Sequence, residues 1–260
     1  MSGVLGIDAA WTEKNPSGVA LLEYSEGAKP RLLRIGRSYD EYADNSIDWK
    51  WKAAGSHPNI GAILDASSSI VPSVDVIALD IPLSSKKISS RRSADQAISK
   101  EYGGRGASTH TPGIDRPGKI GETLFSQLTG AGYKHATTTI QNKSFIEIYP
   151  HPAIIELLDL DYRLPYKVAN AKKYWPDVSL EERRRMIIEN LNQLRDFAAA
   201  SIDDIDRHVP NIKTSDHSTD LKGFEDALDA IYSALVGCYY LAGKARALGD
   251  QDSAIWVPTI

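Results

Sequence analysis

Three apolar, β-branched runs in this chain each end on a single acid: Asp8 in VLGIDAAW, Asp80 in VIALDIPL and Glu147 in SFIEIYPHP. No counter-charge stands beside any of them. Runs of this kind read as strands buried on both faces, which belong to an α/β sheet covered by helices. A carboxylate delivered to the mouth of such a strand is costly unless paired or metal-bound. A fourth element adds two more acids, Asp226 and Asp229 in FEDALDAIYSAL. Three apart on a helix, they project from one face. The small residues that follow them (Ala230, Ser233, Ala234, Gly237) let that helix approach a sheet closely. Any one of these acids alone would serve as a turn former or helix cap. Together they predict a convergent site that binds Mg²⁺ or Mn²⁺ through oxygen, the ligand hard cations prefer.

The 260 residues suit one domain, 1–260, and are enough to bury a core without cross-links. The lone Cys238 rules out an internal disulfide and sits in an apolar helix, GCYYLAG, as a small buried hydrophobe. A basic leader with a long apolar stretch is missing, and no apolar run reaches membrane-spanning length, so the expected compartment is the cytoplasm. Net charge is −4, which argues against wholesale nucleic-acid binding. Its distribution is uneven, however. Residues 84–120 carry eight Lys or Arg against three acids in a Gly- and Pro-rich stretch, predicting a basic loop insertion with a short helix at SADQAISKEY. That loop follows directly on Asp80.

Periodicity predicts strands over 4–10, 19–24 and 31–37, joined by short turns as an antiparallel meander. A helix over 59–69, a strand over 74–79, a helix over 121–131, a strand over 145–149 and a short helix over 153–158 follow, an alternation that implies parallel neighbours. Helical elaboration occupies about 160–215. Its main helix, 180–200, is capped by Ser179 with Glu182 as capping-box partner, and Met186, Ile187, Leu191 and Leu194 are its core contacts. A last helix runs from about 220 to 247, and IWVPT adds an edge strand. Zinc-type His or Cys spacing is missing. Only His151, in EIYPHP, falls near a candidate acid, where it would serve as proton shuttle or supporting group.

The combination GIDAAW, ALDIPL, RRSAD, IEIYPHP and DALDAIYSAL, spread over most of the chain, resembles the family described as predicted nucleases of ribonuclease-H fold (domain of unknown function 429). That resemblance implies a ribonuclease-H-like mixed five-stranded sheet, three antiparallel strands then two parallel, flanked by helices. It implies Asp8 and Asp80 as metal ligands. DALDAIYSAL looks like the aspartate-bearing last helix of Holliday-junction resolvases, pointing to Asp229 first and Asp226 second, with Glu147 as the remaining acid. The activity so implied is two-metal hydrolysis of nucleic-acid phosphodiesters, with catalytic Asp8, Asp80, Glu147 and Asp229. Arg91, Arg92 and Lys143 would then hold phosphate oxygens, and Trp11, Tyr102 and Tyr149 would stack bases. GIDAAWTEKNPSGVALLE also resembles the first phosphate hairpin of actin-like ATPases and sugar kinases, but a second Gly-rich hairpin is missing. A non-catalytic binding protein of the same fold is the remaining alternative.

Overall fold

A computed structural model describes residues 2–113, 119–215 and 220–260. Asp115 and Arg116 of the basic segment and His217 lie outside the described residues. Strands β1 (Ser2–Asp8), β2 (Gly18–Tyr24) and β3 (Arg31–Gly36) form the expected meander. Helices α1 (Tyr39–Asp44) and α2 (Ile60–Ser68) lead to β4 (Val74–Asp80), which returns parallel to β1. Next come α3 (Ser93–Tyr102), α4 (Lys119–Gly130), the two-residue β5 (Lys134–His135), β6 (Ser144–Ile148) and α5 (Pro150–Leu157). The elaboration holds α6 (Ala171–Tyr174), α7 (Leu180–Ser201) and α8 (Ile205–His208). The chain closes with α9 (Leu221–Leu241), β7 (Ala245–Gly249) and β8 (Ala254–Pro258).

Among the described residues the sheet is mixed and has eight strands, in the order β3-β2-β1-β4-β6-β8-β7 with β5 paired to β6. Five were expected. Two of the additional strands come from the C-terminal segment, where the last helix was expected to reach residue 247. It stops at Leu241 because Gly243 takes φ +69°, and 245–249 turns back as a strand. For the same reason β8 is not an edge strand: it pairs with β6 on one side and β7 on the other. In α7, Ser179 accepts the Glu182 N–H as expected, but the Glu182 carboxylate turns to Arg185 instead of back to the cap. Met186 is only half-buried, and Ile188 takes the core position beside Ile187, Leu191 and Leu194.

Strand alternation sorts the sheet's two faces. Val4, Val76, Ala78, Ile146 and Ile148 pack under α9, α7 and α5, whereas Leu5, Ile7, Ile77, Leu79 and Phe145 pack under α1, α2 and α4. Helix α3 covers the β7–β8 end of that second face through Ala94, Ile98 and Tyr102. The central helix is α9, whose small residues admit β1 and β2 almost to backbone contact. A Cβ placed at Gly6 would lie 2.0 Å from the Ala230 carbonyl oxygen, and one at Gly18 would lie 2.0 Å from that of Asp226. Among the described residues, no helix is long and apolar enough to cross a membrane.

Candidate functional site

Asp8 and Asp80 stand side by side, because β1 and β4 run parallel in a register that pairs them directly. Each has the parity of the residues beneath α9, Gly6 for Asp8 and Ala78 for Asp80, so both carboxylates open toward that helix. Asp226 meets them from α9. The three line one cavity of about 360 Å³ together with Trp11, Lys167 and Lys222. Neither the Asp8 nor the Asp80 carboxylate takes part in a hydrogen bond or ion pair among the described residues. Burial pushes the Asp80 carboxyl well above the usual carboxylate range; Asp8 beside it pushes the same way, and Lys167 pulls back.

A ladder of alternating charge backs this pair. Lys222 pairs with Asp226, four residues on along α9, and with Glu225 at 2.8 Å. Lys167 reaches in from the irregular segment before α6 to pair with Glu225 at 3.4 Å and with Asp229. Glu225 also accepts the Val168 N–H at 2.7 Å, and Asp229 accepts the Tyr166 hydroxyl at 2.7 Å. Despite burial, Lys167 and Lys222 hold the Glu225 carboxyl below its ordinary value. Asp226 is only half satisfied: among the described residues its buried Oδ2 has no partner, and burial and Asp8 push its carboxyl well up against the pull of Lys222. Burial raises Asp229 to about 6, with Lys167 opposing and Asp8 adding.

Five carboxylates (Asp8, Asp80, Glu225, Asp226, Asp229) therefore face two ammonium groups. The excess negative charge is relieved only by protons or by further cations. The donor set is all oxygen, which fits a hard divalent ion. As the side chains lie, however, no group of three or more His, Cys, Asp or Glu among the described residues is arranged to hold a metal ion. The lysines account for this, since they draw Asp226 and Asp229 toward themselves.

Other expected members are placed differently. Asp229 is fully buried behind the cavity wall, engaged by Lys167 and Tyr166, and Asp226 takes the place facing Asp8. Glu147 has the parity of Phe145 and leaves the sheet on the face opposite α9. There it accepts two bonds from Arg92, at 2.6 and 2.7 Å, and the Leu83 N–H at 2.8 Å. Arg92, expected to hold phosphate, is buried between Glu147 and Asp95. Arg91 is likewise engaged internally, with Thr111 and the Asp95 carbonyl at 2.9 Å and with Ser99. Lys143 precedes β6, about 13 Å along the strand from Glu147 at ~3.3 Å per residue, and lies over the Tyr133 ring. It is at the wrong end of the sheet.

His151 is buried on the first turn of α5 against the rings of Tyr149 and Tyr166, with Nδ1 unpartnered. Burial, Lys167 and Arg163 push its pKa well down, so it is neutral and touches Asp229 only through Tyr166. Tyr102 lies in the core beneath α3 and has no face free for a base. Trp11 and Tyr149 are half-buried and share a smaller hollow of about 80 Å³ with Asp80. The residues the sequence reading missed are Lys167, Lys222, Tyr166 and Glu225. The i, i+3, i+4 spacing of Lys222, Glu225 and Asp226 carried a signal for two of them, Lys222 and Glu225; the segment LPYKVAN carried none for Lys167.

A family model described as protein of unknown function (DUF429) matches residues 6–254. No curated protein and no solved structure matches the chain.

Proposed function

The chain belongs to that family, and for its acidic cavity we propose metal-assisted hydrolysis of phosphodiesters, with nucleic acid as the substrate class. One observation carries the reading: Asp8 and Asp80, adjacent and unpartnered, share the cavity with the orphaned Oδ2 of Asp226. A structural carboxylate is ordinarily satisfied by neighbouring N–H groups or a cation; among the described residues Asp8 and Asp80 have neither, and Asp226 has Lys222 on Oδ1 alone. Asp8, Asp80 and Asp226 would hold Mg²⁺ or Mn²⁺. Bound there, such an ion would supply a water of lowered pKa and charge stabilisation at the phosphoryl oxygens. Asp229 and Glu225 keep Lys167 in place at the cavity wall, and Lys222 is half exposed on a flexible stem, free to leave Asp226 for a phosphate oxygen. Trp11 forms the apolar side of the cavity.

The order β3-β2-β1-β4-β6, three antiparallel strands followed by two parallel ones, supports a ribonuclease-H-like reading of this part of the sheet, with β8 and β7 as an extension. The test is Mn²⁺ titration by calorimetry on the wild type and on Asp80→Asn, with hydrolysis of bis(p-nitrophenyl) phosphate in parallel. Binding and hydrolysis lost together in the variant support the assignment. Equal Mn²⁺ affinity in the two proteins overturns it.

A further inference from the structure

The segment DWKWKAAG, residues 48–55, lies between α1 and α2 and brings Lys52 to the wall of the cavity. Its aromatic residues point opposite ways. Trp49 turns inward, its ring 5.2 Å from that of Phe224 on α9 and under the Arg37 guanidinium at 5.5 Å. Trp51 turns outward and is 73 % exposed, among the largest exposed apolar side chains described. Mobility of a loose loop does not explain that exposure, because the backbone on either side is held from beneath. Arg37, itself buried, donates to the carbonyls of Asp48 at 2.7 Å and Trp51 at 2.6 Å. Asp220, the N-cap of α9, accepts the Ala53 N–H at 3.0 Å. Gly55 then presses on the turn after β1, where an added Cβ would lie 2.4 Å from the Glu13 carbonyl oxygen.

Trp51 is thus displayed from a fixed backbone. It is flanked by Lys50 and Lys52, both exposed and neither ion-paired among the described residues. Lys52 lines the cavity itself, as does Trp11. A pre-set aromatic face between two free ammonium groups, one residue from an acidic cavity, matches the repeating chemistry of a single strand of nucleic acid. Unpaired bases stack on aromatic rings regardless of sequence, and the backbone tracks positive charge. A duplex buries its base faces and offers Trp51 nothing to stack on.

We propose that Trp51, with Lys50 and Lys52, is a stacking platform that feeds single-stranded nucleic acid into the cavity. The proposal rests on the phosphodiester reading of the cavity for its purpose, but not for its test. Binding of labelled oligothymidylate, oligouridylate and a matched duplex is measured by fluorescence anisotropy in EDTA, for wild type, Trp51→Ala, Trp51→Phe and Lys50→Ala. Circular dichroism checks each fold. The wild type binds single strands more tightly than duplex, and Trp51→Ala weakens that binding about tenfold or more. Trp51→Phe retains most of the affinity, and Lys50→Ala lowers the log–log salt slope by about 0.7. Tighter binding of the ribo or the deoxy strand identifies the nucleic acid; either supports the platform.

The idea is overturned if Trp51→Ala binds single strands as well as wild type, if duplex is preferred, or if no oligonucleotide binds. Hydrolysis of bis(p-nitrophenyl) phosphate in Mn²⁺, a substrate too small to span cavity and platform, scores the catalytic reading separately. Trp51-dependent binding without that hydrolysis leaves the platform and removes the hydrolase. Hydrolysis without Trp51-dependent binding does the reverse.

Discussion

Replacing Gly6 with alanine tests whether the contact between β1 and α9 sets the geometry of the cavity. The new Cβ would sit 2.0 Å from the Ala230 carbonyl oxygen and 2.4 Å from the Ala234 nitrogen. Real Cβ contacts do not fall below 3.0 Å, so α9 must retreat from β1 by about 1 Å. Both opposing atoms are backbone, and no side chain can swing aside. Overpacking of this kind costs about 1–3 kcal/mol, and a shift of one residue pair on this scale places the loss toward the upper end. At ~2–4 °C per kcal/mol for a chain of this size, the melting temperature falls by about 4–12 °C. On the proposed function, the same retreat separates Asp8 from Asp226, so Mn²⁺ affinity is expected to fall and a misplacement near 1 Å to lower turnover by ~10²-fold. Differential scanning calorimetry and Mn²⁺ titration read the two effects. Gly61→Ala on α2 is the control, since its Cβ would meet only Asn59 Oδ1 at 3.4 Å and alanine gains about 0.5–1 kcal/mol in a helix. A Gly6→Ala protein that melts with the wild type and binds Mn²⁺ equally well refutes the steric argument.

Asp80→Asn relieves carboxylate repulsion, so in EDTA it is more stable than wild type by about 0.5–2 kcal/mol; an unchanged midpoint would mean Asp80 is already neutralised in the native protein. Arg92→Met strands Glu147 and Asp95 as buried charges and costs about 3–5 kcal/mol in urea denaturation; an unchanged midpoint would return Arg92 to the role of a surface phosphate ligand. Asp229, raised from an ordinary 3.8 to about 6, holds its proton longer in the folded protein than in the unfolded one. Stability from this group is therefore greatest below pH 4 and is lost as pH rises through 6. The stability difference between wild type and Asp229→Asn, followed from pH 4 to 6.5 without metal, should shrink with rising pH, and a growing difference contradicts the assignment.

How far the site was legible depended on whether its chemistry was local. Asp8 and Asp80 announce themselves because each ends an apolar strand, and the parallel register that joins them follows from strand type. Glu147 has the same local signature, but strand parity turns it to the other face, and parity relative to α9 is fixed only once the sheet is assembled. Arg92 reads as part of a basic loop. Its partner Glu147 is 55 positions away, and nothing near Arg92 in the sequence says that it is buried. Lys167 is the extreme case: it lies in irregular backbone and meets Asp229 only because that segment folds back onto α9, 62 positions on. The strand β7 was hidden because Ala- and Leu-bearing sequence continues past Gly243, the residue at which the helix gives way.

The near-contact of β1 with α9 also bears on the order in which the chain can become a protein. Gly6 meets Ala230, about 220 residues later in synthesis. At roughly 5–20 residues per second, ~10–45 s separate the emergence of β1 from the arrival of its cover. During that interval the face carrying Val4, Val76 and Ala78 lacks the helix that will bury it, and Asp8 and Asp80 lack Asp226. Closure over so long a loop is slow, and open apolar sheet invites association with other nascent chains. Pulse-labelled chains stalled before residue 221 are therefore expected to be chaperone-bound and protease-sensitive at β1, and to become resistant only when α9 has left the ribosome.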